Sequence, residues 1–304
     1  MEYVLTTQGL SKHYKDFKAL DNLTMHVPKG SIYGFVGRNG AGKTTLIRLI
    51  CGLQVPTSGS YSLYGVDNTQ KELSKIRRRM GAVVETPSIY LDLTAQDNLK
   101  EQFRVLGVPS DDGIPELLKL VGLEATGKKK ARNFSLGMKQ RLGIAVALAG
   151  NPDLLVLDEP VNGLDPQGII EIRELILKLN RERRITVLIS SHILDELSKL
   201  ATYYGFIDSG RIVKELSARE LETACRKCLR IEVTDTRILA RVLDGMGVEY
   251  KILSDGQADV FAHLNISQLS RALDAERCEL LSAQERDESL ESYFVNLVGG
   301  ASHD

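Results

Sequence analysis

Gly37-Arg-Asn-Gly-Ala-Gly-Lys-Thr-Thr45 most constrains what this chain can fold into. It matches G-x-x-x-x-G-K-[ST] at Gly37, Gly42, Lys43 and Thr44. Before it runs Ser31-Ile-Tyr-Gly-Phe-Val36, an apolar segment that reads as a buried strand. After it, Thr44-Thr-Leu-Ile-Arg-Leu-Ile50 reads as a helix start. A strand, a glycine loop and a helix N-terminus together make an anion site. The backbone N–H groups curl around phosphate oxygens, and the helix dipole favours negative charge there. The expected cradle is Gly37, Asn39, Gly40, Ala41, Gly42, Lys43, Thr44 and Thr45. Lys43 is placed to reach the terminal phosphates, and the Thr44 hydroxyl to hold Mg²⁺. An ordinary glycine turn before a helix needs neither flank.

A second apolar strand, Leu154-Leu-Val-Leu157, ends in Asp158-Glu159-Pro160. Open α/β sheets carry their reacting groups at strand ends. Asp158 is therefore the second expected Mg²⁺ residue, and Glu159 the carboxylate that polarises an attacking water.

Between these two lies Asn133-Phe-Ser-Leu-Gly-Met-Lys-Gln-Arg141, and beyond them Asn162-Gly-Leu-Asp165 and Ser190-Ser-His192. With this set in order, residues 2 to about 215 resemble an ATP-binding cassette (ABC) ATPase. The resemblance implies an α/β phosphate-loop ATPase core with a helical arm over about 88–150. It implies ATP and Mg²⁺ as cofactors, and a switch role for His192 at the γ-phosphate. Tyr14 stands where the family stacks an aromatic ring on adenine. Ser135 and Gly137 stand in the signature, where they would meet the γ-phosphate held by a second copy of the chain. Leu136 and Met138 stand where that signature usually has other residues. Asp165 would lie at the seam of the resulting head-to-tail dimer.

The residue linking core to arm is usually Gln in this family. Here the strand Met80-Gly-Ala-Val-Val84 leads into Glu85, which would add a charge beside Mg²⁺. That carboxylate, the Phe134-to-Gln140 signature and the ending Leu290-Glu-Ser-Tyr-Phe-Val-Asn-Leu-Val-Gly-Gly300 look like bacterial exporter ATPases protecting against bacitracin and lantibiotic peptides. Such a subunit powers a separate membrane permease. The competing reading is an ABC ATPase acting on DNA or the ribosome. Against it stand a single cassette and no inserted coiled coil.

From about Arg211 these motifs stop. Strand-like Leu229–Asp235, helical Thr236–Met246, a hairpin over Val248–Leu264 turning at Asp255-Gly256, helical Ile266–Asp274 and strand-like Glu279–Ser282 follow in order. That is β-α-β-β-α-β, a ferredoxin-like α+β module. A last helix is expected over Asp287–Val298, stopped by Gly299-Gly300. The expected division is 1–215 for the ATPase and 216–304 for a regulatory or dimerising module.

The 304 residues carry a formal net charge of −1, which argues against nucleic acid as a partner. Four cysteines make no disulfide framework, and Cys225-Arg-Lys-Cys228 lacks a second pair. No run reaches the roughly 18 apolar residues of a membrane span, and the N-terminus lacks a signal-peptide pattern. The expected location is cytoplasmic, peripheral at the inner face of the membrane through the permease.

Overall fold

The computed structural model describes residues 2–225, 228–262, 264–286 and 290–299. The chain divides into two compact units, Met1–Ala218 and Arg219–Asp304.

The first unit opens with two long strands, β1 (Tyr3–Tyr14) and β2 (Phe17–Pro28), then β3 (Ile32–Val36) and helix α1 (Lys43–Ile50). Next come β4 (Ser58–Leu63), β5 (Val66–Asp67), the single turn α2 (Leu73–Ile76) and β6 (Met80–Val83). The arm is α3 (Ala95–Leu106), α4 (Ile114–Leu120) and α5 (Leu136–Leu148). The chain then runs through β7 (Leu154–Asp158), α6 (Pro166–Arg183), β8 (Thr186–Ser191), α7 (Leu194–Ser198), β9 (Tyr203–Asp208) and β10 (Arg211–Ser217).

Two sheets result. An antiparallel sheet has the order β2-β1-β4-β5. A six-stranded sheet has the order β10-β9-β3-β8-β7-β6, parallel throughout except that β10 runs antiparallel to β9. β3, β7 and β8 are buried at every position. Parallel strands covered on both faces read as continuous apolar runs, which is how they stand out in this sequence. α1 buries Leu46, Ile47, Leu49 and Ile50 in the core shared with β1, β2 and β4. Burial fixes the helix, and with it the loop at its start.

The arm helices follow local rules. Thr94 caps α3, its Oγ1 accepting from Asp97 N at 3.1 Å, and Gly107 ends it at φ 71°. Ser135 caps α5, accepting from Met138 N at 3.2 Å. α5 therefore starts at Leu136, inside the signature.

Helix α8 (Ala218–Ala224) spans the boundary between the units. The second unit continues with β11 (Cys228–Val233), α9 (Thr236–Met246), β12 (Tyr250–Ser254), β13 (Gln257–Val260), α10 (Ile266–Ala275), β14 (Leu280–Arg286) and α11 (Leu290–Gly299). Its sheet is antiparallel, ordered β12-β13-β11-β14. Leu229, Ile231 and Val233 on one face of β11 pack with Leu239 and Leu243 of α9 and Leu269 and Leu273 of α10. Arg226 and Lys227 of the C-x-x-C segment, His263 of the hairpin reading, the Asp287 helix start and the Gly300 stop lie outside the described residues. Among the described residues no helix is long and apolar enough to cross a membrane.

Candidate active site

The glycine loop is fixed by what it touches. A Cβ on Gly37 would stand 2.6 Å from the Ile207 carbonyl oxygen of β9. Gly42, the N-cap of α1, has φ 109°, and a Cβ there would stand 2.5 Å from the Ala19 carbonyl oxygen. Only glycine combines that backbone with that approach. The loop thus sits against β2 and β9.

Lys43, the first residue of α1, is only 5% exposed. Its ammonium folds back over the loop, donating to Gly37 O at 2.7 Å and Arg38 O at 3.2 Å, and lies 3.2 Å from Glu159 Oε1. At the next residue, Thr44 Oγ1 donates to Asp158 Oδ2 at 2.9 Å. Asp158 closes β7 and is 1% exposed. Its other oxygen accepts from Ser190 Oγ at 2.6 Å. Ser190 is the register partner of Asp158 on β8. It also receives the Glu159 amide, on its hydroxyl at 3.0 Å and its carbonyl at 3.2 Å.

Glu159 leaves the strand with φ 48°, a conformation uncommon for a residue with a side chain. The turn throws its carboxylate between two nitrogens, Lys43 Nζ through Oε1 and His192 Nδ1 through Oε2 at 2.7 Å. Lys43, Thr44, Asp158, Glu159 and His192 are thereby joined in one linked cluster. Ser190, which anchors Asp158 and the Glu159 backbone, is the residue that sequence reasoning missed. Its signal was a buried polar side chain at the end of an apolar strand.

Tyr14, the expected adenine platform, is not among the residues lining the cavity at the loop. Its hydroxyl is tied to the Gln54 side-chain oxygen, and the Lys12 ammonium stands 5.3 Å from its ring centroid. The cavity of about 260 Å³ at the loop is lined by Phe17 with Ala19, Gly40, Lys43, Thr44 and Glu159. Phe17 is 60% exposed. It sits directly opposite Tyr14 across the β1–β2 hairpin, so the same turn offers both rings.

Ser135, Gly137 and Asp165 are not among the residues lining that cavity. Ser135 and Asp165 instead begin helices of their own chain, Asp165 Oδ1 accepting from Gly168 N at 3.0 Å. Glu85 already has a partner in its own chain. Its carboxylate pairs with the Arg48 guanidinium of α1, and its side chain is 51% exposed.

Among the described residues, no group of three His, Cys, Asp or Glu side chains converges on a point. The hard oxygen pair of Thr44 and Asp158 nevertheless fits Mg²⁺, which takes one or two protein ligands and completes its shell with phosphate and water.

A phosphate loop between β3 and α1, with an acid pair at the end of β7 one strand beyond β8 in the same sheet, defines a nucleotide-binding cassette. The chain belongs to the ABC transporter family, whose profile matches residues 20–162. It is 42% identical to the bacitracin transport ATP-binding protein BcrA of Bacillus licheniformis, over 99% of each chain. It is 46% identical to the lantibiotic transport ATP-binding protein SrtF of Streptococcus pyogenes, covering 70% of this chain and 90% of that one. The ATP-binding cassette MJ0796, in a dimeric post-hydrolysis state bound to ADP and Pi, superposes with a TM-score of 0.63 at 28% identity, covering 71% of this chain and 99% of that one. ATP binding and hydrolysis follow from the family.

Proposed function

We propose that this chain is the ATP-hydrolysing subunit of a bacterial exporter of peptide antibiotics, driving a separate membrane permease from the cytoplasmic face. The observation that carries the chemistry is Glu159 suspended between Lys43 and His192. Support for the exporter reading comes from the similarity to BcrA, which runs through both units rather than the cassette alone. That coverage disfavours an ATPase working on DNA or the ribosome.

In this reading the loop amides and Lys43 bind the ATP phosphates. Thr44 and Asp158 would hold Mg²⁺, with Glu85 adding a charge on the metal side, and the ion would neutralise charge developing on the phosphates. Glu159 orients the attacking water and accepts its proton. His192, hydrogen-bonded to Glu159, faces the γ-phosphate. Ser135 and Gly137 act on the ATP of a second copy, and Asp165 lies at that seam, so two chains close head to tail around two nucleotides. The Ser135 hydroxyl at a helix N-terminus suits an anion there.

Residues 1–215 make the ATPase and 216–304 a ferredoxin-like module that regulates or dimerises. The β-α-β-β-α-β order and the antiparallel sheet with β11 and β13 central support that reading.

Phe17, rather than Tyr14, stacks on adenine. Phe17→Ala is expected to weaken ATP binding by about 1–3 kcal/mol, the scale of base–aromatic stacking. Tyr14→Ala is expected to change it by under about half that. Titration calorimetry of both variants checks this; the reverse order restores Tyr14.

The exporter reading is tested in cells. The gene, expressed together with a permease partner in a bacitracin-sensitive strain, should raise the inhibitory concentration of bacitracin or a lantibiotic. Lys43→Ala should abolish the gain. No protection against either class removes the substrate reading while leaving the ATPase chemistry in place.

A further inference from the structure

Glu85 sits at the centre of a three-residue turn. Thr86 N donates to Val84 O at 2.7 Å, and Glu85 has φ 60°, a strained conformation for a residue with a side chain. The turn is anchored on both sides. Two residues on, Pro87 lies so close to α5 that a Cβ on Gly143 would stand 2.6 Å from the Pro87 Cβ. On the other side, the Arg48 guanidinium of α1 pairs with the Glu85 carboxylate. Arg48 lies four residues after Thr44, so one face of α1 presents both. The first reaches Asp158 and the second reaches Glu85.

Both members of the ion pair are partly hydrated, Arg48 at 37% and Glu85 at 51% exposure. Pairs of that kind have little net stability and exchange readily. A dication held beside Thr44 and Asp158, in a drier place, is a stronger attractor for the same carboxylate. We propose that Arg48 is a positioning residue that holds Glu85 on α1 and so competes with the metal site for its carboxylate. This rests on the reading of Glu85 as a residue of the metal side. It gives the Gln-to-Glu departure a consequence: a neutral amide would be held far less firmly by Arg48, whereas a carboxylate has two strong partners to choose between.

The test is a Mg²⁺ titration of ATP binding by the full chain, followed through the fluorescence of methylanthraniloyl-ATP. Four proteins are compared: wild type, Arg48→Ala, Glu85→Ala and the double variant. Alanine is the best helix former, so α1 persists in the Arg48 variant. Arg48→Ala should lower the Mg²⁺ concentration at half-saturation about two- to fivefold, the worth of an exposed pair. Glu85→Ala should raise it, and the double variant should match Glu85→Ala. Arg48→Lys, which keeps the charge, should fall near wild type. No change in Arg48→Ala overturns the proposal while leaving Glu85 on the metal side. An equal decrease in both backgrounds also overturns it, since the effect would then be the general field of a cation. An unchanged half-saturation in Glu85→Ala removes the underlying reading itself.

Discussion

Glu159→Gln is expected to slow ATP hydrolysis by about 10²–10⁴-fold, the usual worth of a positioned general base. ATP affinity should stay within a few-fold of wild type. The amide has the shape of the carboxylate and can still reach His192 and Lys43. It cannot take a proton from water. The loop amides, Lys43 and His192, the groups assigned to the phosphates, all remain in the variant. The backbone turn survives as well, because it is held by the Glu159 amide on Ser190 and not by the side chain. Steady-state phosphate release and equilibrium ATP binding, measured on the same preparation, separate the two effects. Hydrolysis within tenfold of wild type would mean that another group activates the water.

Lys43→Ala should show the opposite signature. Lys43 is a cation buried to 5% exposure, and it serves the Gly37 and Arg38 carbonyls and the Glu159 carboxylate at once. Removing it deletes a direct phosphate contact and leaves Glu159 beside the phosphates with no adjacent cation. Truncating one member of a buried charge pair costs about 2–5 kcal/mol. ATP affinity should therefore fall about 30-fold or more, and hydrolysis with it. Calorimetry decides this, and an affinity within threefold of wild type would contradict the cradle.

The groups legible in the sequence are those fixed by local pattern. The phosphate loop announced itself through an apolar strand, three glycines and a helix start, all within twenty residues of chain. The Asp158–Glu159 pair stood at the end of an apolar run, and β7 does end at Asp158. The Thr94 cap was readable from Asp97 three residues on. What stayed hidden depends on non-local register. Ser190 meets Asp158 only because β7 and β8 pair in parallel with those two residues opposite. Arg48 meets Glu85 only because α1 and the end of β6 come together in space. Tyr14 and Phe17 flank one tight turn and share one hairpin position, so spacing cannot choose between them. Along β1, register shifts at Thr7–Leu10 and Leu10–Lys12 interrupt the period of two without ending the strand.

ATP is hydrolysed, in this reading, at a site which a second copy completes. Its most direct test is the solution mass of Glu159→Gln, by light scattering, with and without ATP and Mg²⁺. A monomer is expected without nucleotide and a doubling of mass with it. Adding Ser135→Arg to the same chain should abolish the doubling while ATP still binds. A mass that ignores ATP, or a dimer indifferent to Ser135→Arg, would contradict it.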